Sequence, residues 1–249
     1  MAGRDIAGLL AHMAELEAEL ETGCDPQRFF LGTYARTTRA IEAALVDGAF
    51  EDPAWVEEWD VVFADLYLDA LEAHRRGSAD VPRPWRLAFA ADPAMHPVGH
   101  VLLGMNAHIN YDLPQALLAV VPPEAFDDPE LLQRRRRDHE RIDDVLAERV
   151  AVEDGELERA AGGGRTALDR VLAPMNRHAS RRFLREARHK VWRTTLALHE
   201  ARMCGPQVYA DRLRDLDTVS AARIGDLLRP GPVLLRLALV GFGVTLPPP

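Results

Sequence analysis

A chain of 249 residues with 47% hydrophobic content is long enough to bury a substantial core, and one domain is the economical count. The formal charge of −9 argues against general affinity for nucleic acid. Two cysteines, Cys24 and Cys204, make neither a disulfide framework nor a thiolate metal site, and no apolar run of about 18 residues or more suggests a bilayer-spanning helix.

The periodicity is helical nearly from end to end. Ile6, Leu9, Leu10, Met13, Leu16 and Leu20 recur at steps of three and four, and Gly23 supplies a stop. That stretch has neither the basic start nor the cleavage site of a secretory leader, so a cytoplasmic protein is expected. A second helix is predicted from Pro26 to Val46, with Phe30, Tyr34, Thr37, Ile41 and Leu45 inward. After the turn "DGAFEDP", Pro53 suits the first position of a third helix running to about His74. "RRGSADVPRP" reads as a loop. Pro97 opens the next helix, which Pro114 bends or restarts. A charged helix follows from Pro129 to about Val150, and a long one from about Thr166 to Met203. Between them "GELERAAGGGRT" is the most flexible stretch. The closing "PVLLRLALVGFGVTLPPP" has a length that suits a core helix. The expectation is an all-α, single-domain bundle of about eight helices over residues 1–249. It has an N-terminal helix in 1–24, a linker at 155–166 and an apolar C-terminal segment at 230–249.

The stretch "HVLLGMNAHINYDLPQALL" is almost wholly apolar, yet it carries Asn106, His108, Asn110 and Asp112. Residues four apart lie one above the other on a helix, so His108 and Asp112 present together. Gly104, one turn below, leaves room for a ligand or another helix. Asn106 and Asn110 form a second pair on the other side and are candidate substrate-binding groups. The charged helix repeats the spacing: His139 and Asp143 are again four apart, and helical bookkeeping turns His139 and Asp138 toward apolar neighbours.

Two inward pairs offer two nitrogens and two oxygens. Such a set suits a divalent metal, zinc foremost and iron or manganese next, with His108, Asp112, His139 and Asp143 as ligands. Asp138 would then orient a histidine or act as base, completing a catalytic group with His108 and Asp112. The bland alternative is a polar pair on each helix, each imidazole donating to its own carboxylate. Asp69, His74, His96 and His100 are secondary candidates, His96 being placed ahead of its helix by Pro97. A further stripe carries Arg181, Arg185, Arg188 and Trp192, and Arg181, Arg185 and Trp192 would grip a phosphate or carboxylate if the stripe lined a cleft. The competing reading is a solvated face. No glycine-rich phosphate loop, nucleophile elbow or zinc ribbon is present, and "AGGGR" follows no strand.

The string "GMNAHINYDLPQAL" resembles the signature of an actinobacterial family known as domain of unknown function 5995. "YARTTRAIEAALVDGAF", "FADLYLDAL", "PWRLAF" and "KVWRTTLAL" agree with it, over most of residues 28–200. The resemblance implies the helical fold and marks Asn106, His108, Asn110 and Asp112, but names no reaction. It makes Asp138 the family-level acid and Asp143 a feature more particular to this chain. More distantly, "HINYDLPQALL" is similar to the "HxxGDxxQPLH" motif of helical zinc-dependent phospholipases C and single-strand nucleases, with His108, Asp112, Gln115 and Leu117 in register. Position 118 is leucine where that group has its next histidine.

These readings lead to one principal expectation: a metal-dependent enzyme, a hydrolase, acting on an anionic small molecule or phosphoester. Two alternatives stay open. One is a metal-free helical binding or cyclase-like enzyme using His108 and Asp112 for acid–base chemistry. The other is a di-iron oxygenase-like bundle, disfavoured by the scarcity of inward Glu-x-x-His pairs.

Overall fold

The computed structural model describes residues 4–160, 167–231 and 241–248, with side chains at these positions other than 143 and 146–185. Among the described residues every regular element is helical: α1 (Ile6–Thr22), α2 (Arg28–Val46), α3 (Pro53–Arg75), α4 (Arg83–Phe89), α5 (Pro97–Ala107), a π-helical turn (His108–Asp112), α6 (Leu113–Val120), a 3-10 turn (Pro123–Asp127), α7 (Pro129–Ala160), α8 (Ala167–Cys204) and α9 (Pro206–Leu228). None of these helices is long and apolar enough to cross a membrane.

The starts follow capping chemistry. Asp5 accepts from Gly8 N–H at α1, and Asp52 accepts from Trp55 N–H at α3 with Pro53 in the first position. His96 does stand ahead of its helix, as the cap of α5, its ring nitrogen accepting from Val98 N–H. Apolar faces then pack α2 against α1, α3 and α5, α3 against α6, and α9 against α4 and α8. Helices α2 and α3 run antiparallel in a register read from their rings: Phe30 meets Tyr67 at 4.9 Å and Tyr34 meets Phe63 at 6.0 Å.

Several sequence expectations change here. Helix α4 lies partly inside the loop expected at "RRGSADVPRP", because seven residues are too few for an apolar period to declare itself. Helix α7 continues to Ala160, through the first half of the expected linker, and residues 161–166 lie outside the described ones. The C-terminal segment is divided. Residues 232–240 lie outside the described set, and 241–248 form an irregular strap opened by Gly241 at φ 80°, not a core helix. Phe242 and Val244 of the strap are buried.

Candidate functional site at the π turn

Pro114 explains the local geometry of the motif. It lacks the N–H that would bond the carbonyl of residue 110, and its ring crowds that carbonyl. The helix responds by widening. Leu113 N–H bonds to the carbonyl of His108, five residues back, over the π turn His108–Asp112. Such widened turns recur at functional sites.

Within the turn, His108 Nδ1 and Asp112 Oδ2 lie 2.9 Å apart, and Trp85 Nε1–H donates to the same oxygen at 2.8 Å. Both members of the pair are buried, His108 at 3% exposure and Asp112 at 1%. Burial pushes the imidazole well below its ordinary range and the carboxyl well above, the Trp85 bond opposing the latter. Burial therefore disfavours the charge-separated imidazolium–carboxylate state, and the ring tautomer decides whether Nδ1 donates or accepts. His108 Nε2 has no hydrogen-bond partner among the described residues.

The walls are aromatic. Phe63 lies flat on the imidazole, 3.6 Å between centroids and 4° between planes, and Tyr34 meets it edge-on at 4.5 Å. Phe30, Tyr67 and Trp85 stand at about 6 Å. Gly104 does leave room for a helix: a Cβ there would drive into the ring of Phe30 on α2. Tyr34, Phe63, Tyr67 and Trp85 fall in three of the stretches that carried the family resemblance, and the fold gathers them around one histidine.

Sequence reasoning missed one residue of consequence. Asp60 on α3 is 3% exposed, its Oδ2 has no partner among the described residues, and burial raises its pKa to about 7. A signal was present: Val56, Asp60, Phe63 and Tyr67 follow one another at helical spacing in "WVEEWDVVFADLY", which places the carboxylate on an apolar face. Asp69, the carboxylate considered on that helix, is exposed.

The other candidates are placed elsewhere. His139 packs against Trp59 (5.4 Å) and Trp192 (5.7 Å), and the stacked rings of Trp59 and Phe63 lie between it and His108. Asp138, fully buried, accepts from the backbone N–H groups of Glu51 and Asp52 at 2.8 and 2.9 Å, so both oxygens clamp the turn before α3. This assigns Asp138 a structural task rather than that of a base beside His108. The Asp143 side chain lies outside the described residues, as do those of Arg181 and Arg185. Among the described residues no three His, Cys, Asp or Glu side chains are grouped to hold a metal. At the π turn the described residues offer one unpartnered nitrogen, His108 Nε2, while Nδ1 and Asp112 Oδ2 are joined to each other and Oδ2 also accepts from Trp85.

Asn106 and Asn110 also have a different task from substrate binding. Their Nδ2 groups donate to the carbonyl of Phe242 at 3.2 and 3.1 Å, and Asn110 Oδ1 accepts from Val244 N–H at 3.0 Å. The irregular strap needs partners for its backbone, and the two amides supply them. Trp192, expected at the end of a cationic stripe, is 6% exposed and belongs to the core beside His139, while Arg188 donates inward to the His139 carbonyl.

The chain matches the "Family of unknown function (DUF5995)" over residues 6–230. It belongs to that family. The matched range contains the π turn and every ring around His108, and the strap at 241–248 lies beyond it. No curated protein and no solved structure matches the chain. For this DUF5995 member the chemistry of the site must therefore be argued from its own atoms.

Proposed function

We propose that this protein is an acid–base enzyme that moves a proton on a small, largely apolar molecule held among α2, α3 and the π turn. The reaction class is isomerisation, dehydration or cyclisation. In the ionised form of the pair, Nδ1–H donates to the Asp112 carboxylate and His108 Nε2 is the base. Asp112 orients the ring and takes up the Nδ1 proton as Nε2 gains one, and Trp85 fixes the carboxylate. The observation that carries this reading is the bare Nε2 of a buried imidazole whose other nitrogen is already bound to a carboxylate. Leaving a buried ring nitrogen unpaired costs about 1–3 kcal/mol. His139 Nε2 is unpartnered too, and what sets His108 apart among the described residues is that its other nitrogen is joined to a buried carboxylate. Substrate entry requires Phe63 or Tyr34 to swing aside, since both lie against the imidazole.

The expected hydrolysis of an anionic phosphoester has less support. The rings around His108 are aromatic, and the likeness to zinc phospholipases and nucleases calls for more donors than the described residues bring to Asp112. The test is untargeted. Untagged protein is incubated with a small-molecule extract and the mixture followed by mass spectrometry, beside His108→Gln and Asp112→Asn. A species consumed by the natural chain and spared by His108→Gln is the expected result. Identical profiles from all three proteins would overturn the proposal, and metal content that disappears with His108→Gln would restore the metal-dependent reading.

A further inference from the structure

Helix α8 carries a second stripe, away from Trp192 and the core. Lys190, Arg193 and Thr194 stand three and four residues apart, which puts them on one side of the helix. They line a recess of about 110 Å³ that Arg212 of α9 and Thr245 of the C-terminal strap complete. Three cations and two hydroxyls thus meet in one place, and no carboxylate is among the lining residues, in a chain whose net charge is −9. None of these side chains belongs to the group around His108.

The strap fixes two of the cations. Lys190 Nζ donates to the carbonyl of Gly243 at 3.2 Å, and Arg212 donates to that of Pro247 at 2.7 Å. Each is also paired with a carboxylate outside the lining, Lys190 with Glu186 at 2.5 Å and Arg212 with Asp215 at 3.3 Å. Those carboxylates offset two positive charges. Arg193 has no ion pair among the described residues, so its charge stays uncompensated. Thr194 is only 4% exposed, yet its hydroxyl has no hydrogen-bond partner among the described residues. Its neighbour Thr195 shows the ordinary alternative, bonding the carbonyl of Val191 one turn back at 3.1 Å. A sheltered hydroxyl left unpaired is costly unless something in the recess binds it.

We infer that this recess binds a phosphate group, either as the free ion or as the end of a larger molecule. Its donors come from α8, α9 and the strap, and so from several sides. That arrangement suits the three-dimensional set of acceptor oxygens on a phosphate better than the two coplanar oxygens of a carboxylate. Arg193 supplies the fork of N–H groups and the uncompensated charge, Thr194 a hydroxyl from the floor, and Lys190 and Arg212 charges already held in place. The volume falls well short of the roughly 300 Å³ at which pockets begin to enclose a drug-sized ligand, so it takes a single terminal group. The site is independent of the acid–base reading of His108. A group bound there would tie the strap to both helices, next to Val244, whose N–H bonds to Asn110 Oδ1 in the π turn.

The experiment measures binding directly, because phosphate also stabilises proteins by exclusion from their surface. Titration calorimetry and phosphorus NMR follow the full, untagged chain at constant ionic strength. The probes are inorganic phosphate and methyl phosphate, with acetate as the planar comparison. The natural chain should bind a phosphate probe and bind acetate clearly less tightly. Arg193→Gln and Thr194→Val should each weaken phosphate binding about tenfold or more, as expected for one hydrogen bond to a charged group. Arg193 is exposed, so Arg193→Gln carries the test should Thr194→Val fold poorly. Methyl phosphate bound as well as inorganic phosphate identifies the end of a larger molecule, and inorganic phosphate alone identifies the free ion; both support the site. No binding of either probe would overturn it. So would equal affinity in the natural chain and Arg193→Gln, or acetate bound as tightly as phosphate.

Discussion

The two segments with His-x-x-x-Asp spacing, the π turn and α7, place their histidines among different neighbours. On the π turn, the partner four residues on is in contact with the imidazole, and the second ring nitrogen is bare. On α7, the buried carboxylate is Asp138, the residue next to His139, and it spends both oxygens on the backbone of the turn before α3. A carboxylate saturated by main-chain N–H groups is a structural fastener. Asp112 instead engages a buried imidazole, whose second nitrogen is unpartnered among the described residues, as is that of His139. The difference lies in which neighbours the fold delivers, and it can be pressed in three ways.

The largest expected effect is at the fastener. Asp138→Ala removes two charge-assisted hydrogen bonds to the part-buried N–H groups of Glu51 and Asp52 and should destabilise the fold by about 4 kcal/mol in urea denaturation. The His108–Asp112 pair should be untouched, with an unchanged His108 ring spectrum. A similar loss accompanied by a shifted His108 spectrum would place Asp138 at the reactive centre after all.

The next is at Asp60 and has the opposite sign. Its folded pKa of about 7 exceeds the ordinary value of 3.8, so folding takes up a proton. The sidechain therefore favours the fold most at pH below its unfolded pKa. Its contribution falls as pH rises from about 4 to about 7 and is flat above. Over about three pKa units the loss amounts to roughly 4 kcal/mol at most. Asp60→Asn should thus be more stable than the natural chain above neutrality, with the advantage disappearing in acid. Equal stability across that range would mean that the carboxylate is well solvated or paired.

The smallest effect belongs to Trp85→Phe. Losing the donor to Asp112 Oδ2, together with some ring volume, should cost about 2 kcal/mol. It should also raise the Asp112 carboxyl further, since the Trp85 bond is what holds it down. An unchanged His108 ring tautomer would show that Trp85 only fills space.

Much of the site was legible. "HINYD" carried its own pair at helical spacing, and Pro114 announced a disturbance just where the helix widens. Asp60 was visible as an acid on an apolar face, but a single helix does not reveal whether the facing helix brings a cation, a backbone donor or nothing. Trp85 stands on seven helical residues, too short a run to be placed by period. Asn106 and Asn110 looked like ligand amides because the strap they hold lies more than 130 residues away in sequence.

Although α9 went unread, the sequence by itself determined the helical class, the starts of α3, α5 and α7 and the His108–Asp112 pair. These depend on interactions within a few residues: side-chain period, caps, proline's missing N–H. Tertiary structure alone decided that His139 packs with Trp59 and Trp192, that Asp138 fastens a turn and that Asp60 Oδ2 is buried with no hydrogen-bond partner among the described residues. Those outcomes depend on which distant groups meet in a water-poor core, where one missing or added partner decides whether a buried carboxylate is held ionised or pushed toward its neutral form.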